Sequence, residues 1–380
     1  ALNPETGKNE SFTYEELGNR TSGNATFDTT RQKLKEDWKY LYYYDQNGNL
    51  SSKTNKSNGD LHQYIYNSLN QLVEYQFHKG GTVKEIEAFY IFDAIGRRVE
   101  KHVSDIKNSK TTIRRYVYDG ADLLAVYDEN GNRLAKYTYS GTRLDDVLSV
   151  DISEEGKSAG IAKEKGSYFY LKDHIGSVVD IANGDGDVVQ HYVYSSFGTL
   201  KAVQDKNGHD ISSSPAVEPY LTFTGRELDK ESGNYFFRAR VYDSQSGRFL
   251  QQDPVQGDIT NPLTVTNKYI YSLNNPINRV DPTGEYSLKQ VFGFALSLTM
   301  PFISMTTDLF DDAFDLTNGQ INTLNTINLT AGLIAASIFT GGAAAAAGGA
   351  VAAAGVSAGL YAAGTASAFI VGGIVGAAVG

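Results

Sequence analysis

Tyr42-Tyr43-Tyr44-Asp45-Gln46-Asn47-Gly48-Asn49-Leu50 is the stretch that decides the fold, because it contains a strand, a turn and the start of a second strand. Tyrosines two positions apart, such as Tyr42 and Tyr44, lie on the same face of a strand. The Asn47-Gly48 pair favours the positive φ angles of a two-residue hairpin turn. Asp45 can accept hydrogen bonds from the backbone of that turn. The stretch therefore predicts a β-hairpin with aromatic side chains on one face.

The same unit recurs through the first half of the chain as an aromatic-x-aromatic strand, an Asp or Asn, a short turn and an apolar strand. The acidic or amide position falls at residues 45, 67, 93 and 119, in steps of 22, 26 and 26. Repetition at this spacing predicts stacked hairpins with an aromatic ladder on one face of a long, spiralling sheet. Tyr-x-Tyr pairs occur at 42/44, 64/66, 116/118, 137/139, 168/170, 192/194 and 269/271.

This repeated unit resembles the YD repeat of Rhs proteins, teneurins and the C components of bacterial toxin complexes. The resemblance implies a hollow β-shell wound from a continuous strip of hairpins, and it assigns residues 1–165 to that strip. Further copies of the unit are Tyr64–Asn67, Tyr90–Arg97, Tyr116–Gly120 and Tyr127–Leu134.

The composition agrees with a mainly β protein and excludes several classes of function. There are 25 Tyr and 38 Gly but only 8 Pro; Tyr favours strands, and Gly favours the turns that join them. The net charge of −10 argues against a nucleic-acid partner for the shell, because phosphate binding needs a basic face. Without cysteine, disulfides and cysteine nucleophiles are excluded. No His pair has metal-ligand spacing, so neither a metal nor another cofactor is expected.

Residues 166–284 carry a longer series of motifs, which resembles the Rhs repeat-associated core domain that closes one end of the shell. Within it, we expect Tyr235–Val241 to form one strand with Arg238 and Arg240 on the same face. Arg238 and Arg248 are expected to belong to the structural core, and His174 to satisfy a turn. The motifs are Tyr168–Val178, His191–Gly198, Phe223–Glu227, Gly233–Asp243, Gly247–Pro254 and Tyr269–Gly284.

Two Asp-Pro pairs, Asp253-Pro254 and Asp281-Pro282, flank the expected strand around Tyr269–Leu273. Two carboxylates held close together do not readily both ionise, so one can act as general acid while the other serves as base. A nearby Arg can hold the ionised carboxylate or polarise a carbonyl. Rigid turns in which Asp caps the backbone are the alternative interpretation of both pairs.

The resemblance to Rhs proteins implies a role in self-cleavage for the two Asp-Pro pairs. In toxin-complex C proteins and many Rhs proteins, two Asp of paired D-P-x-G motifs and an upstream Arg are associated with self-cleavage of the chain. By position, Asp253, Asp281 and Arg240 take those roles here, which would make the chain an aspartyl autoprotease that cuts itself once. The implied cleavage site is Gly284-Glu285-Tyr286, with the cut just after Gly284.

The chain departs from the family pattern in two places. The first motif reads Asp253-Pro254-Val255-Gln256-Gly257, with an extra residue before Gly. Glu285 stands where Leu is usual in cleaving relatives. Either departure can abolish cleavage and leave a purely structural plug.

After Gly284 the composition changes abruptly, which marks a domain boundary and leaves residues 285–380 as a separate segment. No charged residue occurs from Leu316 to Gly380, and Ala and Gly dominate from Gly341 onward. We expect a helical, Gly/Ala-rich, membrane-prone pre-toxin segment, since Leu329–Gly380 is long enough to cross a bilayer. Two alternatives are a low-complexity cargo packed inside the shell and a linker to a toxin domain beyond Gly380.

Together these features predict a toxin-encapsulating and delivery shell of the Rhs polymorphic-toxin type. The expected partners are a secretion or injection apparatus attached through a region before residue 1, the C-terminal segment as cargo, an immunity protein and a target membrane. The start, Ala1–Glu10, resembles neither a signal peptide nor a natural N-terminus, so a longer protein is expected. The expected location is secreted or at the bacterial cell surface. The alternative function is cell-surface adhesion or glycan recognition by an uncleaved shell.

Overall fold

The computed structural model describes residues 10–28, 30, 32–141, 144–254, 262–285 and 288–289. Within these ranges the chain is mainly β, as the sequence predicts, and sixteen strands form one antiparallel sheet, here called the strip. Each strand of the strip pairs with the next one along the chain. The strands are β1 (Thr26–Phe27), β2 (Leu34–Glu36), β3 (Tyr40–Tyr44), β4 (Leu50–Asn55), β5 (Leu61–Tyr66), β6 (Leu72–Lys79), β7 (Val83–Phe92), β8 (Arg98–Asp105), β9 (Lys110–Asp119), β10 (Asp122–Tyr127), β11 (Arg133–Tyr139), β12 (Val147–Ile152), β13 (Gly166–Lys172), β14 (Val178–Ala182), β15 (Val188–Tyr194) and β16 (Leu200–Gln204).

One face of the strip is lined by the predicted aromatic ladder. Tyr64 in β5 is 3% exposed, whereas the next residue, Ile65, is 43% exposed. This alternation is the period of two that a strand imposes on its side chains. The first aromatic residue of the other hairpins is buried in the same way at Tyr42, Tyr90, Tyr116, Tyr137, Tyr168 and Tyr192.

In three of the hairpins, the second tyrosine of the unit links the hairpin to the one before it. The hydroxyl of Tyr66 donates a hydrogen bond of 2.9 Å to the backbone oxygen of Leu50, the first residue of β4. Tyr118 and Tyr194 make equivalent bonds of 2.9 Å to the first residues of β8 and β14. In these three pairs, Tyr-x-Tyr supplies one ring to the core and one hydroxyl to the preceding hairpin.

The turn between β3 and β4 is longer than the predicted two residues, whereas β9 and β10 are joined by two residues between Asp119 and Asp122. Between β3 and β4, the backbone N–H of Asp45 donates to the oxygen of Asn49 at 2.9 Å, and these two residues enclose a three-residue loop. Gly48 closes the loop with φ +86°, a left-handed conformation that glycine adopts without strain. The prediction of a two-residue turn was wrong because the carboxylate of Asp45 also caps the N–H of Asn49, at 2.8 Å, and widens the turn.

A second antiparallel sheet of four strands, here called the inner sheet, packs on the buried face of the strip. Its strands are β17 (Glu227–Asp229), β18 (Asn234–Phe237), β19 (Arg240–Asp243) and β20 (Arg248–Phe249). Lys53 in β4 pairs with Asp243, Arg98 in β8 pairs with Asp229, and the Tyr235 hydroxyl donates to a backbone oxygen between β15 and β16. Because distant strands of the strip reach the same small sheet, the strip curves around it.

The remaining elements are short. Helices span α1 (Glu154–Ser158) and α2 (Pro262–Thr266), and 3-10 turns span Phe223–Gly225 and Ser272–Asn274. A last pair of strands, β21 (Arg279–Val280) and β22 (Leu288–Lys289), follows the inner sheet.

The predicted single strand Tyr235–Val241 is wrong, because the chain reverses in its middle. Phe237 of β18 pairs with Arg240 of β19, so Arg238 and Ala239 form the turn of a tight hairpin. Arg238 takes φ +59° there. The two arginines therefore belong to different parts of the hairpin rather than to one face of one strand.

The strip continues through the predicted boundary between residues 165 and 166, since β13 begins at Gly166 and pairs with β12. The division into 1–165, 166–284 and 285–380 stays a prediction. Apart from residues 285, 288 and 289, the predicted helical, membrane-prone segment lies outside the described residues. In the part of the chain that the structure describes, no helix has the length and apolar character needed to span a membrane.

Candidate active site

Arg240, the first residue of β19, joins the two aspartates of the Asp-Pro pairs. Its Nη2 atom lies 3.0 Å from Oδ2 of Asp253 and 3.2 Å from Oδ2 of Asp281. Arg240 and Asp281 are each 2% exposed, whereas the side chain of Asp253 is 21% exposed. The structure thus brings together the three side chains that the sequence singled out.

The guanidinium of Arg240 is held in one orientation. It lies over the ring of Phe249, with Cζ 3.7 Å from the ring centroid. Its Nη1 donates to the backbone oxygen of Lys268 at 3.2 Å, and the same oxygen accepts the N–H of Asp253 at 2.9 Å. Burial lowers the pKa of Arg240, while the carboxylates of Asp281 and Asp253 oppose that change. A buried guanidinium is stable only when it is paired with negative charge, and the carboxylates of the two aspartates supply that charge.

The peptide bond at the predicted cleavage site is held from both sides. Nε of Arg240 donates to the carbonyl oxygen of Gly284. Oδ1 of Asp281 accepts the N–H of Gly284 at 2.8 Å and the N–H of Glu285 at 3.1 Å. The carbonyl of the Gly284–Glu285 bond therefore contacts the arginine, and its nitrogen contacts the aspartate. Tyr286, the third residue of the predicted cleavage site, lies outside the described residues.

Gly284 is fixed by the close approach of the β18–β19 hairpin. It takes φ +77°, and a Cβ atom at this position would lie 2.1 Å from the backbone oxygen of Phe237. No side chain fits at that distance. The Asp-Pro-Thr-Gly motif therefore ends in glycine because the hairpin that carries Arg240 presses directly on it.

Glu285 adds a third carboxyl group to the site. Burial and the negative charge of Asp253 raise the pKa of Glu285, and the positive charge of Arg240 opposes the rise. The residue directly after Gly284 is thus a group that interacts with the charges of the candidate site.

A cluster that sequence reasoning missed lies beside these residues. Nη2 of Arg226 is 2.5 Å from Oδ2 of Asp145, and Nη2 of Arg238 is 2.7 Å from Oδ1 of the same carboxylate. Both guanidiniums donate to the carbonyl oxygen of Pro282. Arg226 and Arg238 lie in the quoted motifs Phe223–Glu227 and Gly233–Asp243, and Arg238 was expected only as a core residue. Asp145 lies in a loop outside the quoted motifs, so no sequence signal joined the three residues.

Other residues singled out from the sequence have structural contacts. Arg248 is buried, and its guanidinium donates to Oδ1 of Asn19 at 2.9 Å and to the backbone oxygen of Gln32 at 2.6 Å, as expected for a core residue. Nε2 of His174 lies 2.7 Å from the backbone oxygen of Ile277, so it joins its turn to a distant segment. Within the described ranges, no three His, Asp or Glu side chains are grouped so that they could hold a metal ion.

A continuous strip of tyrosine-rich hairpins that curves around a docked inner sheet defines a YD-repeat shell protein. The chain belongs to the teneurin YD-shell family, whose model matches residues 4–277.

Known relatives include bacterial toxins. The chain is 27% identical over 279 residues to the tRNA nuclease WapA of Bacillus subtilis (strain 168), an overlap of 73% of this chain and 9% of WapA. It is 24% identical over 304 residues to double-stranded DNA deaminase toxin A of Burkholderia cenocepacia (strain H111), covering 74% of this chain and 20% of that one. The chain thus spans about a tenth to a fifth of the length of these relatives. A crystal structure of TcdB2-TccC3-Cdc42 matches 72% of this chain and 19% of its own at 16% identity, with a TM-score of 0.27.

Proposed function

We propose that the chain is part of a toxin-encapsulating shell that cuts itself once, between Gly284 and Glu285. The observation that supports this proposal best is the position of Arg240, which contacts both aspartates and also the carbonyl oxygen of Gly284. If Asp281 served only to cap a turn, its own hydrogen bonds to the backbone would be sufficient. The contacts of Arg240 with Asp253 and with the carbonyl of Gly284 would then have no role. Two carboxyl groups that share one arginine beside a peptide carbonyl match the requirements of acid–base hydrolysis.

In the proposed reaction a water molecule attacks the carbonyl carbon of Gly284. Asp253 is the general base that takes a proton from this water, since its side chain is the more exposed of the two aspartates. Negative charge then develops on the carbonyl oxygen, where the Nε–H of Arg240 stabilises it.

Asp281 is the general acid of the proposed reaction. In the uncut chain its Oδ1 accepts the N–H of Glu285 at 3.1 Å, so Asp281 must first take up a proton from solvent, and this oxygen then lies close enough to the nitrogen to deliver it. When the tetrahedral intermediate collapses, the C–N bond breaks and the nitrogen gains that proton. The reaction consumes one water molecule and leaves a carboxylate on Gly284 and an amine on Glu285.

The family and the relatives support a wider role for the chain. We place residues after Gly284 as cargo of the shell, cut from it but retained inside until delivery. An apparatus for secretion or injection would attach upstream of the described strip, and an immunity protein would protect the producing cell. The relatives named as a nuclease and a deaminase toxin support a toxic cargo.

The test is a denaturing gel with intact-mass measurement on the purified 380-residue chain. We expect the wild type to give two fragments, one that ends at Gly284 and one that begins at Glu285. Asp281→Asn and Asp253→Asn should each remain a single chain. The matched control is Asp128→Asn, because Asp128 also caps the backbone of a turn but is remote from the site.

An uncut wild-type chain would overturn the assignment of Asp253 and Asp281 as protease groups. It would leave a structural shell and favour the adhesion or recognition alternative. Cleavage that persists in both aspartate variants would equally contradict the mechanism.

A further inference from the structure

The segment before the candidate cleavage bond is held by its carbonyl groups, one after another. The oxygen of Pro282 accepts from Arg226 and Arg238. The oxygen of Thr283 accepts the backbone N–H of Ala239 at 3.2 Å, and the oxygen of Gly284 accepts from Arg240. Three consecutive carbonyls are therefore bound by one region of the protein, in the way that an enzyme binds an extended substrate.

Arg238 occupies a backbone conformation that its side chain makes costly. Its φ of +59° lies in the left-handed region, where glycine is favoured at the turn of a tight hairpin. Asp145, which binds its guanidinium through both carboxylate oxygens, also has a positive φ, of +61°. Such strain persists only where the surrounding structure holds it, and it concentrates at functional sites.

Asp145 is itself fixed in place. Its backbone N–H donates to Oδ1 of Asp122 at 3.1 Å. Gly225 lets its loop approach closely, because a Cβ at that position would lie 2.6 Å from the oxygen of Asp145. A carboxylate held this firmly can orient the two guanidiniums that it pairs with.

The carbonyl of Pro282 lies beside two guanidiniums, whose charges interact with the carboxylates of both Asp145 and Asp122. Two guanidiniums, those of Arg226 and Arg238, share the single carboxylate of Asp145. Burial and repulsion by Arg238 lower the pKa of Arg226 to about 10, so it stays protonated at neutral pH. Arg226 is buried and Arg238 is partly exposed, and both donate to the carbonyl of Pro282; two charged donors fix this carbonyl more firmly than one.

We propose that Asp145, Arg226 and Arg238 are positioning residues for self-cleavage, which fix the Pro282 carbonyl and thereby hold the Gly284–Glu285 bond against Arg240 and Asp281. This inference rests on the proposed function, because a positioning role in cleavage requires that the chain is cut. The contacts that support it are separate from those between Arg240 and the two aspartates. None of the three side chains touches the bond that breaks. They act through the chain segment that carries it.

Arg238→Gly is the decisive variant, because it removes the guanidinium and also relieves the left-handed strain. A merely structural turn would tolerate this change. We expect the melting temperature to stay unchanged or to rise, while the rate of self-cleavage falls about 10- to 100-fold, as is typical when a reacting bond is displaced by about 1 Å. Arg238→Lys should recover part of the rate. Ser109→Gly is the matched control, since Ser109 has φ +51° in an exposed turn far from the site.

A second measurement does not depend on cleavage. In the Asp253→Asn background, the N–H groups of Gly284 and Glu285 still bond to Asp281, so hydrogen exchange reports how firmly the segment is held. Adding Arg238→Gly should speed exchange of a peptide covering residues 281–285 about tenfold. Peptides from the strip should not change.

The outcomes separate the two proposals. If the wild type is not cut but Arg238→Gly speeds exchange at 281–285, the proposed function fails, and Arg238 is shown to hold the segment but not to serve cleavage. If the wild type is cut and Arg238→Gly changes neither rate nor exchange, the positioning role is overturned and the proposed function stands.

Discussion

Lys53 of β4 and Asp243 of β19 form an ion pair of 2.9 Å in which neither side chain is more than 3% exposed. The pair joins the strip to the inner sheet across 190 residues of sequence. Burial alone would lower the pKa of Lys53, but the attraction of Asp243 outweighs it and raises the pKa. Both groups are therefore charged at neutral pH, and each depends on the other.

Lys53→Met should destabilise the protein by about 3–5 kcal/mol, because Asp243 is left as a buried charge without its partner. Chemical denaturation measures the change in the free energy of unfolding. Adding Asp243→Asn should recover part of the loss. Lys56→Met is the matched control: its partner, Glu36, lies 2.6 Å away on the surface, where such pairs contribute about 0–1 kcal/mol. Equal effects of the two lysine variants would contradict the buried-pair interpretation.

Arg97 and Arg98 provide a second comparison between neighbouring residues. Arg98 is buried against Glu227 and Asp229, at 2.5 and 2.7 Å, whereas Arg97 pairs with Asp93 at a partly exposed position. Arg98→Met should cost about 3–5 kcal/mol in unfolding free energy, and Arg97→Met no more than about 1 kcal/mol. A large loss in Arg97→Met would show that the turn, rather than the docked sheet, limits stability.

The strip was predictable from sequence because its determinants are local. A unit such as Tyr42–Leu50 contains its own strand period and turn signal, and repetition multiplies the signal. The exact turn was not predictable, because the loop closed by Asp45 and Asn49 depends on a side-chain cap that competes with the two-residue alternative.

No local sequence pattern predicts how the inner sheet packs on the strip. Arg97 and Arg98 are the same residue type in adjacent positions, and only the fold decides which one is buried. The site shows the same division: Arg240, Asp253 and Asp281 were found by resemblance to motifs, whereas Asp145 reaches the site only because the strip curves. Its partners lie 81 and 93 residues along the chain.

Gly184 and Gly186 test how much the left-handed turn residue contributes. Gly186 has φ +86°, and a Cβ added there would have no atom within 4 Å. Gly184 has no positive φ, and a Cβ added there would lie 3.9 Å from its nearest neighbour. Gly186→Ala should cost about 1–2 kcal/mol from backbone strain alone. Gly184→Ala should be nearly neutral. Thermal or chemical unfolding of the two variants measures the difference, and similar losses would refute the turn assignment.

His62 should make the protein less stable as the pH falls below about 6.5. Burial and the positive charge of Lys53 lower its pKa to about 3, with Lys39 acting in the same direction and Asp243 and Asp60 opposing. The folded protein therefore keeps His62 neutral between pH 6.5 and 3, while the unfolded chain binds a proton. This difference removes up to about 1.4 kcal/mol of stability per pH unit.

Unfolding free energies at pH 7, 6 and 5 test this, since His62→Gln should flatten the slope. His209→Gln is the control, because the side chain of His209 is 76% exposed. An unchanged slope in His62→Gln would assign the pH dependence to other groups.

Glu285→Gln should speed self-cleavage at pH 7. Ionised Glu285 interacts with Arg240, so it competes for the arginine that polarises the Gly284 carbonyl. Burial and Asp253 raise the pKa of Glu285, so lowering the pH neutralises this carboxyl before an ordinary surface glutamate. The ratio of the variant rate to the wild-type rate should therefore exceed one at pH 7 and approach one as the pH is lowered. Glu129→Gln, which removes the same charge from an exposed turn, should leave the ratio at one throughout. If Glu285→Gln is slower than the wild type, Glu285 assists the reaction, and the inhibitory role of its charge is wrong.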